Sequence, residues 1–111
     1  FSLMSGEDAL NMPLMAVGGK GTVSVTANVA PKLMSELIAS CLAGDYAKAG
    51  EQHRALMKLN NMMFIETNPI PAKEALAMMG LIELEFRLPI CPLMEANRKL
   101  LKDCLQEYKL V

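Results

Sequence analysis

Hydrophobic and polar positions change rhythm once along this chain, near Asn28. Before it the pattern suits short strands around one short helix; after it the apolar residues recur at helical spacing. Gly21-Thr22-Val23-Ser24-Val25-Thr26-Ala27 is β-branched and alternating, opened by glycine and closed by Asn28, and so predicts a strand. Phe1 to Met4 predicts the exit of another. Between them Asn11 to Val17 predicts a short helix, with Asn11 as N-cap, Pro13 in the first turn where its missing N–H costs nothing, and Gly18-Gly19 as the stop. Strand, helix, strand with short connections marks a parallel βαβ unit.

Four helices are predicted beyond Asn28. Pro31 to Ala43 carries Leu33, Leu37, Ile38 and Cys41 on one side and ends at Gly44. Asp45 caps a longer helix to about Met63, with Ala49, His53, Leu56, Met57 and Asn60 spaced by three and four. Asn68-Pro69-Ile70-Pro71 is a rigid extended break, after which Pro71 to Met79 is helical and Gly80 stops it. Leu88-Pro89-Ile90-Cys91-Pro92 is another break. The last helix, Leu93 to Tyr108, has an inner stripe of Leu93, Leu100, Leu101, Cys104, Leu105 and Tyr108.

Composition narrows the function classes. With 111 residues, 52% apolar and 21% charged, the chain suits one small globular domain. Its net charge of −1 lacks the basic footprint of a nucleic-acid binder. No stretch approaches the roughly 20 apolar residues of a membrane span. Three cysteines, widely spaced and without a CxxC pair, suit a reducing compartment, so a cytoplasmic location is expected. The ten methionines are expected to fill core gaps. Two parallel strands do not make a stable sheet alone, because parallel sheets are buried on both faces. The chain is therefore expected to be the carboxyl-terminal piece of something larger, mostly helical in itself.

The order of motifs is specific. Leu3-Met4-Ser5-Gly6-Glu7-Asp8 is followed by Gly18-Gly19-Lys20-Gly21-Thr22-Val23-Ser24-Val25-Thr26-Ala27-Asn28, then Asn68-Pro69-Ile70-Pro71-Ala72-Lys73 and Arg87-Leu88-Pro89. Together they resemble the carboxyl-terminal part of the dihydrodipicolinate synthase family, pyruvate-dependent lyases of lysine biosynthesis built on a (β/α)8 TIM barrel. The resemblance implies an α/β fold class: Phe1 to Met4 as barrel strand seven, Thr22 to Ala27 as strand eight, and a C-terminal α-helical domain behind them. It divides the chain into residues 1–43, the last two βα units, and 44–111, the helical domain.

The same resemblance implies a reaction. Pyruvate forms a Schiff base with a lysine and condenses, as an enamine, with aspartate semialdehyde to give 4-hydroxy-tetrahydrodipicolinate. No other cofactor is implied. Family members hold that lysine on strand six, with a tyrosine and a threonine as proton relay on earlier strands. None of those segments is present here, so no catalytic residue is assigned and the chain alone is expected to be inactive. Lys73-Glu74-Ala75 echoes the tripeptide around the catalytic lysine but opens a helix after Pro71, and it is rejected as the nucleophile. Three substrate-binding residues carry over: Gly6, whose backbone lines the pocket; Val23, which borders pyruvate where isoleucine is common; and Asn68, near the semialdehyde. Glu7 stands where an aspartate is frequent. The implied partners are the N-terminal barrel portion and further copies, as a dimer or tetramer.

Other readings of the same residues are blander. Gly18-Gly19-Lys20-Gly21 follows a helix and precedes a strand, the reverse of a phosphate loop, so a tight turn is expected. Glu7 and Asp8 are expected to cap free amides at a helix start. His53 has no cysteine or carboxylate at ligand spacing, so no metal site is assigned. Lys48, Glu51, Arg54 and Lys58, like Arg98, Lys99 and Lys102, are expected to form solvated faces, and the three cysteines to be inert core thiols. Two alternatives remain at this point: a sibling aldolase or lyase for sialic acid or keto-deoxy sugar acids, and a non-catalytic helical interaction module without exposed apolar surface.

Overall fold

Strands β1 (Met4–Ser5) and β2 (Gly21–Thr22) lie parallel, with Met4 opposite Gly21 and Ser5 opposite Thr22. The computed structural model describes all 111 residues, Phe1–Val111. Between the strands run a 3-10 turn (Asp8–Leu10) and helix α1 (Asn11–Ala16). A second 3-10 turn, Thr26–Asn28, precedes α2 (Pro31–Leu42), α3 (Tyr46–Met62), α4 (Ile70–Met78) and α5 (Glu95–Glu107). The parallel βαβ order and the four following helices match expectation, and the chain is mostly helical.

The predicted strand Gly21–Ala27 is too long. Its ladder ends at Thr22, with one further bond from Val23 N–H to the Ser5 carbonyl at 2.8 Å. Ser24 Oγ then accepts from Ala27 N–H at 2.9 Å, and Val25 is already αR, so the backbone bends where β-branched composition suggested extension. Asn11 is not an N-cap but the first residue of α1, fully buried, its side chain turned to Asp8. Asp45 does cap α3, accepting from Lys48 N–H at 3.1 Å.

The α1–β2 turn is as tight as its glycines require. Gly18 has φ +109°, and a Cβ on Gly19 would sit 2.3 Å from Leu14 Cδ2 and 2.9 Å from the Leu14 carbonyl.

Two compact units divide the chain, Phe1–Asn60 and Asn61–Val111. This division falls inside α3, later than the 43/44 turn where the helical domain was expected to begin. The reason is that α3 is tied back: the Tyr46 hydroxyl donates to the Met15 carbonyl at 3.0 Å, and Asn60 Nδ2 to the Asp8 carbonyl at 3.3 Å. In the first unit Met15, Val29, Met34, Leu37, Cys41, Leu56 and Leu59 are buried.

In the second unit Met63, Ile70, Ala75, Leu93, Leu101, Cys104 and Leu105 are buried. Leu100, expected on the inner stripe of α5, is half exposed. Two glutamates hold the start of α5. Glu66 Oε1 accepts from Met94 N–H (3.0 Å) and Asn97 Nδ2 (2.8 Å), and Glu74 Oε1 accepts from Leu93 N–H at 3.2 Å. Glu74 is fully buried, and its Oε2 lies 3.2 Å from Arg98 Nε. Arg98 stays exposed, as a solvated-face residue should, but one edge of its guanidinium also pairs with this buried carboxylate. Methionines divide as well: Met15, Met34 and Met63 are core, whereas Met4 and Met94 are exposed.

Candidate functional site

Parallel barrels place their chemistry at the carboxyl ends of the strands. Here those ends are Ser5-Gly6-Glu7 after β1 and Val23 after β2, brought side by side by the ladder. Thr22 Oγ1 donates to the Ser5 carbonyl at 3.3 Å, and Ser5 Oγ turns back to donate to the Glu7 carbonyl at 3.0 Å. The exit from β1 is thereby folded into a tight loop. A Cβ on Gly6 would meet nothing within 4 Å, and Val23 is 73% exposed. Both face open space at the strand ends, where a ligand can approach backbone and side chain together.

Glu7 and Asp8 do different work. Glu7 is exposed, and its Oε1 caps Ala9 N–H at 3.3 Å, as expected. Asp8 is buried at 2% exposure. Its Oδ2 accepts from Thr26 N–H at 2.8 Å and its Oδ1 from Asn11 Nδ2 at 3.2 Å. Sequence reasoning missed this, though the separation of 18 residues between Asp8 and Thr26 matches one βα repeat that returns the chain beside its start.

Asn68 belongs to the second unit. It is exposed, joined to Pro69 by a cis peptide bond, and lies two residues before α4 begins at Ile70. Lys73, one turn into α4, donates to the Glu85 carbonyl and lies 5.1 Å above the Phe86 ring. Its ammonium is thus occupied in holding the 81–90 segment. Among the cysteines, Cys41 and Cys104 are buried, and burial pushes the Cys41 thiol above its ordinary 9.0. Cys91 is exposed, contrary to the expectation of three core thiols, because the Leu88–Pro92 break lifts it off any packed face.

Beside β2 and α2 runs an open apolar cleft of about 430 Å³, lined by Met4, Gly21, Pro31, Met34, Ile38 and Leu42 among others. Sheet and helix both present carbon to it. In the second unit, Pro69, Lys73, Phe86 and Arg87 border a cavity of about 530 Å³. No helix is long and apolar enough to cross a membrane.

Comparison with known proteins puts these features in context. The model of the Dihydrodipicolinate synthetase family matches residues 1–108. A curated 4-hydroxy-tetrahydrodipicolinate synthase from Hydrogenobaculum sp. is 46% identical over 111 residues, covering 100% of this chain and 38% of the relative. The crystal structure of dihydrodipicolinate synthase from Aquifex aeolicus superposes with a TM-score of 0.98 at 46% identity, covering 99% of this chain and 38% of that one. The chloride-inhibited synthase from Acinetobacter baumannii, solved in complex with pyruvate, gives 0.96 at 41% identity, covering 100% and 38%. The chain thus spans under two fifths of the length of the relatives it matches.

Proposed function

The chain belongs to the dihydrodipicolinate synthetase family, and from that premise we propose that it is the carboxyl-terminal part of an enzyme that condenses pyruvate with aspartate semialdehyde. Pyruvate is bound as a Schiff base to a lysine on a preceding strand, and the product is 4-hydroxy-tetrahydrodipicolinate. Gly6 and Val23 wall the pyruvate site, and Asn68 serves the semialdehyde. The observation that carries this reading is the pairing of the two strand ends: β1 and β2 run parallel, and Val23 N–H donates to the carbonyl of Ser5, next to Gly6, at 2.8 Å.

In this reading the chain supplies walls and no nucleophile. Schiff-base catalysis needs an amine free to attack a carbonyl. Lys73 is engaged with the Glu85 carbonyl and the Phe86 ring, which supports its rejection as that amine. The apolar cleft along β2 and α2 is where the remaining barrel strands and helices pack, since parallel strands require cover on both faces. The complete enzyme works in the cytoplasm as a homo-oligomer and uses no cofactor beyond the covalent imine. A free-standing helical module is disfavoured by the apolar residues left exposed around the strands, Phe1, Leu3 and Met4.

The test is a steady-state assay on a full-length protein carrying this chain. Condensation of pyruvate with aspartate semialdehyde is expected, and cleavage of sialic acid or keto-deoxy sugar acids is not. Efficient sugar-acid cleavage without condensation would move the chain to the sibling lyases.

A further inference from the structure

We infer that Asp8 is a positioning residue of the pyruvate site: a buried brace that sets the aim of the two strand exits bearing Gly6 and Val23. The inference rests on the pyruvate reading above and deepens it. The β1–β2 ladder reaches only to Ser5 and Thr22, with one bond beyond it at Val23. Past that point, Asp8 Oδ2 takes the N–H of Thr26 at 2.8 Å and holds the two exits together from their far side. Gly6 lies two residues before Asp8, and Val23 three before Thr26. The brace therefore spans the same pair of loops that carries the proposed walls.

The hub is anchored twice more. Asn11 Nδ2 donates to Asp8 Oδ1, which sets the carboxylate plane, and Asn60 Nδ2 on α3 donates to the Asp8 carbonyl, which sets its backbone. Asp8, Asn11, Thr26 and Asn60 are all buried, so water does not compete for these bonds. A buried carboxylate accepting a backbone N–H makes one of the stronger neutral–ionic hydrogen bonds available. Glu7, one residue earlier, is exposed and caps a local amide, so adjacent acids serve separate ends. Asp8 is turned away from solvent and acts on substrate through Gly6 and Val23.

The experiment uses a full-length protein carrying this chain. Asp8→Ala is expected to raise the KM for pyruvate, and the pyruvate concentration that half-saturates borohydride trapping, by about tenfold, the equivalent of losing one such bond. The KM for aspartate semialdehyde should move less than about twofold, because loosening is local to one pair of loops. Asp8→Asn keeps an acceptor for Thr26 N–H, and a half-turn of the Asn11 amide brings its otherwise unpartnered Oδ1 to receive the new NH2. It should therefore recover most of the loss. An unchanged pyruvate half-saturation in Asp8→Ala, an equal rise for both substrates, or a loss in Asp8→Asn as large as in Asp8→Ala would each overturn the brace. If Asp8→Ala gives no folded protein, Asn11→Ala decides, with a pyruvate-specific rise of about threefold expected and none contradicting. A wild-type control that traps no pyruvate sinks the underlying reading instead, and does so before any substitution is made.

Discussion

Each of the two units buries one carboxylate, and the two are satisfied by different chemistry. Asp8, in the first unit, is met by a backbone N–H and a side-chain amide, both neutral. Glu74, in the second, is met by the Leu93 N–H and the Arg98 guanidinium. Glu74 joins α4 to the start of α5, and its charge is balanced by a partner that is itself 46% exposed. Asp8 joins the two loops at the strand ends that bear the proposed pyruvate walls. Burying a charge is costly unless it is paired and hydrogen-bonded. The second unit meets that cost with an ion pair that stabilises a helix contact. The first meets it with directional neutral donors that fix geometry.

The largest expected effect separates the two partners of the ion pair. Arg98→Ala leaves the Glu74 charge buried and should cost about 2–3 kcal/mol, below the roughly 3–5 kcal/mol of a fully buried pair because Arg98 is half exposed. Glu74→Gln should cost less, since the freed guanidinium can turn to water while the amide oxygen still accepts from Leu93. Urea unfolding of the two variants would show equal losses if the pair were merely a surface bridge.

Next comes the crossing of stability with binding. Arg98→Ala should leave pyruvate half-saturation within about twofold of wild type, whereas Asp8→Ala shifts it strongly. Trapping curves and unfolding curves on the same two variants would break the comparison if both moved together. Gly19→Ala probes the α1–β2 turn, where the added methyl meets Leu14; a loss of about 1–3 kcal/mol is expected from overpacking. A wild-type unfolding midpoint would contradict that contact.

The smallest effect concerns thiols. Cys91 should react first with a thiol reagent at neutral pH, and buried Cys41 and Cys104 only on unfolding. The Cys41 thiol is raised by burial, so folded and unfolded chains both keep its proton below pH 9.0. Above that the unfolded chain gives it up first, and folding stability falls as pH rises. Cys41→Ala should flatten that decline; an unaltered slope in pH-dependent unfolding would assign it elsewhere.

Much of the architecture was legible because it rests on local rules. Proline, glycine and Asp45 punctuate the helices where the chain bends, and alternation located the β2 start at Gly21. What escaped was set by long-range pairing. β2 stops early because Ser24 closes a turn and Asp8 takes the Thr26 N–H. Arg98 is on the surface as read, but its pairing escaped because the partner lies 24 residues earlier, although Glu74 stands between Ile70, Pro71 and Ala75 on a face otherwise apolar. Cys91 resembled a core thiol by composition, and only the extended break around it makes it exposed. Gly6 and Val23 are proposed from family motifs rather than from any pattern of their own, since an open glycine and an exposed valine carry no sequence signal of burial or charge.

The most direct test of the central claim is peptide mapping after borohydride reduction of a full-length protein in the presence of pyruvate. The account predicts one reduced adduct, on a lysine outside these 111 residues. An adduct on Lys73, or on any other lysine of this chain, would contradict it.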